Sequence, residues 1–229
     1  MRIVAETVKS DAKLKDGFTV IAHSQGALVF RAYIEQYSGR SGYPSVHNFI
    51  SAAGPHGGVY GVPGFNRLCP NKHCPFFNWF VNAATKYHLT SGLTQRLFSF
   101  AAYWVNPMDR DGYLKENIFL ADLNNEREPT NSSYREAMIK LNRVLLLYTN
   151  DDIIIIPDTS PKFEQFAEGN ATEKVPFKES RQYKEDLIGL RTLDEQGKLE
   201  VKDMDCQHDL LVAEECAEML WPLVKGYLK

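Results

Sequence analysis

Apolar and polar positions alternate between two rhythms along this chain. Phe18 to Ala22 is a short apolar run with β-branched residues at Thr19, Val20 and Ile21, and it reads as a buried strand. Helical spacing follows at once, with Leu28, Val29, Ala32, Tyr33 and Gln36 along one face of residues 26–38. His47–Ala53, after Tyr43-Pro44, and Arg143–Thr149 read as further strands. Ahead of them, residues 3–15 carry Ile3, Val4, Val8 and Leu14 at the tail of a helix that Asp16-Gly17 closes. Residues 133–142 read as a helix, and 209–227 as a final amphipathic helix carrying Leu210, Leu211, Ala213, Cys216, Ala217, Leu220, Leu223 and Val224. The polar stretch 159–200 predicts a hairpin around Asp194-Glu195-Gln196-Gly197. Interleaved strands and helices of this kind predict an α/β fold with a mostly parallel sheet flanked by helices.

Residues 57–105 break both rhythms. They are rich in aromatic and small residues, among them Tyr60, Phe65, Phe76, Trp79, Tyr87, Phe100 and Trp104. They predict short helices inserted over the sheet, either as a second packing layer or as a lid with an apolar groove. The rest of the chain shows neither repeats nor a domain linker, so residues 1–229 are expected to form a single domain.

Composition narrows the class. Hydrophobic residues make up 44% of the 229 positions and charged residues 24%, an ordinary globular balance. A formal net charge of −3 implies no broad attraction to nucleic acid. No apolar run approaches the ~20 residues of a membrane span. Four cysteines fall in two close pairs, Cys69/Cys74 and Cys206/Cys216, whose short loops suit disulfides better than a metal site. No metal or other cofactor is expected. Two glycosylation sequons begin at Asn131 and Asn170. Cysteine pairs and sequons together favour a lysosomal or secreted setting over cytosol. The first residues carry no signal-peptide core, which points to a front section absent from this chain.

The chemistry centres on Ser24. The run Ala22-His23-Ser24-Gln25-Gly26, between a strand and a helix, has the form of a nucleophile elbow. Such a turn is tight enough to require small residues two before and two after the serine. The ordinary alternative is a strand-to-helix turn whose serine caps the helix. α/β-hydrolases order their triad as serine, acid, histidine, and Ser24, Asp151 or Asp152, and His208 occur in that order. Spacing does not choose between the two aspartates, and turn or capping chemistry would also place them after a strand. For His208 the alternative is a solvated loop residue. His23 is expected to point away at the elbow and His56 to line the pocket, while His47, His73 and His88 are read as structural or exposed. One oxyanion N–H would come from Gln25 and the second from a loop after an earlier strand; no such strand precedes Ser24 here.

Several segments together resemble the palmitoyl-protein thioesterases of the lysosomal type. They are the elbow, Ala53-Gly54-Pro55-His56-Gly57-Gly58-Val59-Tyr60-Gly61-Val62-Pro63, Ala102-Tyr103-Trp104-Val105-Asn106-Pro107, the long run Asn117 to Arg127, and Asp205-Cys206-Gln207-His208. The resemblance covers residues 18–229 and implies an α/β-hydrolase fold lacking its N-terminal strands. It implies Ser24 as nucleophile, Asp151 as acid, His208 as base, Gln25 as one oxyanion donor, a Cys69/Cys74 disulfide and glycosylation at Asn131. The implied activity is hydrolysis of the thioester in S-palmitoylated proteins or peptides, with a long-chain acyl group as the lipid partner. Two other readings stand beside it: a lipase or acyl-ester hydrolase of the same fold, and a non-catalytic truncated form with half an oxyanion hole.

Overall fold

In the computed structural model, which describes residues 1–61, 91–150, 152–208 and 214–228, four parallel strands bring their carboxyl ends to one rim. Strands β1 (Phe18–His23), β2 (Val46–Ala52) and β3 (Arg143–Tyr148) pair in that order. Beyond them lie a two-stranded antiparallel ribbon, β4 (Gln165–Phe166) with β5 (Lys174–Val175), and the sheet's fourth strand β6 (Leu199–Asp203), which pairs with β3. The interior of β2 and β3 is buried on both faces, as expected for central strands of a parallel sheet.

Helices cover both faces. In chain order they are α1 (Arg2–Ser10), α2 (Gln25–Gln36), α3 (Gly92–Leu97), α4 (Arg110–Glu116), α5 (Leu120–Leu123), α6 (Ser132–Met138), α7 (Arg181–Lys184), α8 (Leu190–Glu195) and α9 (Glu214–Val224). Val20, Ala22, Phe49, Val144, Leu146 and Leu199 face one way and pack on Ala27, Tyr33 and Ile34 of α2, with Leu190 and Leu193 of α8. Ile50, Ala52, Leu145 and Leu147 face the other way and pack on Cys216, Val224 and Tyr227. The alternation follows from the two-residue strand period. Each fully buried Leu, Ile or Phe in these layers contributes about 1.5–3 kcal/mol.

The expected hairpin around residues 194–197 does not form. Residues 190–195 are helix α8, Gly197 turns the chain with φ of 67°, and β6 then joins the sheet parallel to β3. Leu190 and Leu193 are fully buried, so helical spacing of apolar residues overrides the turn signal of Asp194 to Gly197. The helix expected over 133–142 ends at Met138. Within the described part of 57–105, α3 and a 3-10 turn at Ser99–Tyr103 are helical, and Val59 bridges Trp104. Residues 62–90, with Cys69, Cys74, His73 and His88, lie outside the described residues.

A polar clasp holds the layer beside α2. Asn117 accepts from the N–H groups of Phe119 and Ala121 and donates to Ala102. Asn124 accepts from Arg31 at 2.6 Å and donates to the His56 carbonyl. Glu126 accepts from Arg110, Tyr113 and Gln182. The run Asn117–Arg127 therefore serves architecture.

Arg31 and Glu35, one turn apart on α2, are both fully buried and 3.8 Å from each other. Burial pushes the Glu35 carboxyl from 4.5 up to about 8, with the Arg31 charge pulling the other way. The folded chain thus holds this proton more tightly than the unfolded chain. That stabilisation is fully present below the unfolded value of 4.5 and is lost as pH rises through about 8. We predict that unfolding free energy falls across this window by on the order of a few kcal/mol. Glu35→Gln should flatten the fall in urea titrations at several pH values, and an unchanged slope would refute the assignment.

Candidate active site

The backbone at Ser24 is strained. Its φ of 53° and ψ of −131° lie where a residue with a side chain rarely goes. The turn is held by the Ser24 N–H donating to the Ala52 carbonyl of β2 at 2.8 Å, while the Ser24 carbonyl accepts from Ala27 at 3.0 Å to open α2. Ala22 is buried beneath it. Among the described residues, a Cβ at Gly26 would meet no atom of another element within 4 Å.

The serine side chain makes no capping bond to its helix. Instead its Oγ lies 2.9 Å from His208 Nε2. His208 Nδ1 lies 2.9 Å from Asp152 Oδ2. Asp152 Oδ1 accepts from the N–H groups of Ile154 and Ile155 at 2.8 and 3.0 Å, which fixes the carboxylate. The Asp152 side chain is fully buried and that of His208 nearly so. Three segments following β1, β3 and β6 thus meet at one rim.

The carboxylate on His208 is Asp152, one residue beyond the Asp151 that the family resemblance implies, and Asp151 lies outside the described residues. The physical reason is the turn: Asp152 accepts from the N–H groups two and three residues on, and that fold of the chain aims its second oxygen at the imidazole.

The segment carrying His208 is pinned from several sides. Met204 donates to the Tyr148 carbonyl at 2.8 Å, and Asn150 donates to Asp203. A disulfide between Cys206 and Cys216, with Cα atoms 6.1 Å apart, brackets His208 on both sides in the chain.

Two histidine expectations are corrected. His23 does not point away: its ring centroid lies 4.9 Å from that of His208, because the last residue of β1 faces the sheet side from which His208 approaches. His56 does not line a pocket. It is fully buried, lies 2.7 Å from Ser51 Oγ through Nε2 and stacks on Phe163 at 4.7 Å. Burial and the nearby Arg31 charge push its pKa well down, so it stays neutral. The turn that buries it is packed tightly: a Cβ at Gly54 would come within 2.5 Å of the Ala27 Cβ and the Ser51 Oγ.

Gln25 is the first residue of α2, so its main-chain N–H has no acceptor within the helix. Its side-chain oxygen accepts from Ser99 Oγ at 3.3 Å, which ties the elbow to the segment after α3. Beside Asp152, a cavity of about 380 Å³ is lined by Ile153, Ile156, Pro157 and Phe166, with Asp158 and Lys174 also in its wall. Among the described residues, no group of three His, Cys, Asp or Glu could hold a metal, and no helix is long and apolar enough to cross a membrane.

The Palmitoyl protein thioesterase family matches residues 1–208. The chain is 40% identical over 204 residues to palmitoyl-protein thioesterase 3 of Dictyostelium discoideum, covering 89% of this chain and 65% of that protein. It is 32% identical over 204 residues to palmitoyl-protein thioesterase 1 of Caenorhabditis elegans, covering 88% of this chain and 64% of that protein. It is 32% identical over 185 residues to the lysosomal thioesterase PPT2 homolog of Drosophila melanogaster, covering 80% of this chain and 59% of that protein. The matched region therefore spans less than two thirds of each of these relatives.

If Asp152 orients His208, Asp152→Asn should slow covalent labelling of Ser24 by a fluorophosphonate by up to about 10⁴-fold, the scale found for the equivalent change in another serine hydrolase. Asp151→Asn should leave the labelling rate within about three-fold, well inside that range. The opposite ranking would move the acid back by one residue.

Proposed function

Since the chain belongs to the palmitoyl-protein thioesterase family, we propose that it hydrolyses the thioester of S-palmitoylated proteins or peptides, with Ser24 as nucleophile. The observation that carries this reading is the continuous chain Ser24–His208–Asp152, two contacts of 2.9 Å each. His208 Nε2 takes the proton as Ser24 Oγ attacks the thioester carbonyl. Asp152 holds the Nδ1–H tautomer and stabilises the imidazolium. The tetrahedral oxyanion is met by the Gln25 N–H at the positive end of α2. Collapse breaks the C–S bond. The thiolate takes the proton back from His208 and departs as the thiol, and an acyl-serine remains. Water, deprotonated by His208, then attacks the acyl-serine; Ser24 recovers its proton and the fatty acid is released.

Apolar side chains beside Asp152 suit a long acyl chain. Ile153, Ile156, Pro157 and Phe166 would each exclude water from it, at about 0.8 kcal/mol per buried methylene. We propose that the described parts of this segment, residues 57–61 and 91–105, where Tyr60 donates to the Ile156 carbonyl and Val59 bridges Trp104, cover the acyl path, within one α/β-hydrolase domain over residues 1–229.

The setting we propose is lysosomal. The relatives named lysosomal thioesterases and the Cys206–Cys216 disulfide support it. So do the sequons. Thr172 Oγ1 donates to Asn170 Oδ1 at 2.7 Å and Ser133 Oγ to Asn131 Oδ1 at 2.8 Å, with Asn131 exposed and Asn170 half-buried, and both asparagines are proposed glycosylation sites.

Hydrolysis of a palmitoyl thioester and of the matched oxygen ester, followed side by side with wild type and Ser24→Ala, tests the proposal. The expected outcome is faster turnover of the thioester and loss of the acyl-enzyme burst in Ser24→Ala. Preference for the oxygen ester would favour a lipase instead. A burst that survives Ser24→Ala would remove Ser24 from the chemistry, and an unlabelled, inactive wild-type chain would favour the non-catalytic reading.

A further inference from the structure

The two-residue period of β1 turns Thr19, Ile21 and His23 to the sheet face opposite Val20 and Ala22. Thr19 Oγ1 there donates to the Tyr227 carbonyl at 3.4 Å. His23, paired with Ala52 at the strand's end, sets its ring 4.9 Å from the His208 ring with the planes at 48°. Its Nε2 is buried and makes no hydrogen bond to a described residue. The titratable groups facing it, among the described residues, are His208 from the segment after β6 and Asp152 from the segment after β3.

We propose that His23 is a positioning residue for His208: its ring buttresses the imidazole beside Ser24, and reaction requires the pair of histidines to carry a single positive charge, on His208. This rests on the triad reading above. As Ser24 attacks, His208 becomes an imidazolium. A second imidazolium in ring contact would oppose that charge at the moment it forms. Burial lowers the His23 pKa, and the His208 charge lowers it further; the His208 main chain and the Asp152 charge raise it less. The lowered His23 pKa keeps that ring neutral while the charge forms on His208.

The test is the pH dependence of fluorophosphonate labelling at Ser24. In wild type the logarithm of the rate should fall at low pH with a slope that steepens from one to two, because a proton on either histidine stops the reaction. In His23→Phe, which keeps a ring of similar size, and in His23→Gln, the slope should stay at one. One pH unit below the second inflection, wild type should lag His23→Phe by about ten-fold, each normalised to its neutral-pH rate. A wild-type slope of one throughout, or a slope of two in both variants, overturns the proposal. NMR titration of the ring C–H signals separates this idea from the triad reading. His208→Gln should raise the pKa of His23. If it does while wild-type Ser24 proves unreactive, the triad reading fails and the pairing stands. If Ser24 reacts but the two histidines titrate independently, the pairing fails alone.

Discussion

The main-chain hydrogen bond from Ser24 to Ala52 is the constraint on which the site depends. It holds a residue with a side chain at positive φ, an arrangement that persists only where surrounding structure over-determines it. Here the over-determination comes from β1 and β2 running parallel in register, with Ala22 and Ala52 packed into opposite faces of the sheet. Because the backbone turns there, the hydroxyl leaves the helix it would otherwise cap. It stands instead where segments from two other strand ends can reach it. The parallel sheet does the rest, since parallel strands end on the same side and their following loops must converge.

Much of this was legible in the residues. The strand and helix around Ser24, the two central strands and the order of serine, acid and histidine follow from periodicity and chain order. What was illegible has identifiable physical causes. The choice between neighbouring aspartates depends on which oxygen the Ile154 and Ile155 amides capture, and an aspartate pair after a strand carries no sign of that. The hairpin expected near Gly197 failed because turn residues act locally, while Leu190 and Leu193 gain more by burial against the sheet. His23 was misjudged because the period of a strand says which face a side chain takes but not what arrives on that face from 185 residues away in the chain.

The run from Asn117 to Arg127 teaches a different point. It carries part of the family resemblance, and its Asn117, Asn124, Asn125 and Glu126 are buried. Yet Asn117, Asn124 and Glu126 hold one another's neighbours rather than the reacting groups. Removing a partner from such a network strands a buried polar atom, which costs about 1–3 kcal/mol and more for a charge. A dense polar motif can therefore be demanded by the architecture that carries a site and not by the site itself. His56, neutral and enclosed by Phe163 and Ser51, belongs to the same class.

The sulfur bridge from Cys206 to Cys216 brackets in sequence His208, whose Nε2 faces the Ser24 hydroxyl. That bracket is a covalent bond that the reducing thiols of the cytosol would open. A chain retained among reducing thiols would lack the tether on the segment that carries His208. Maturation in an oxidising lumen would then complete that tether only after the chain has left the cytosol.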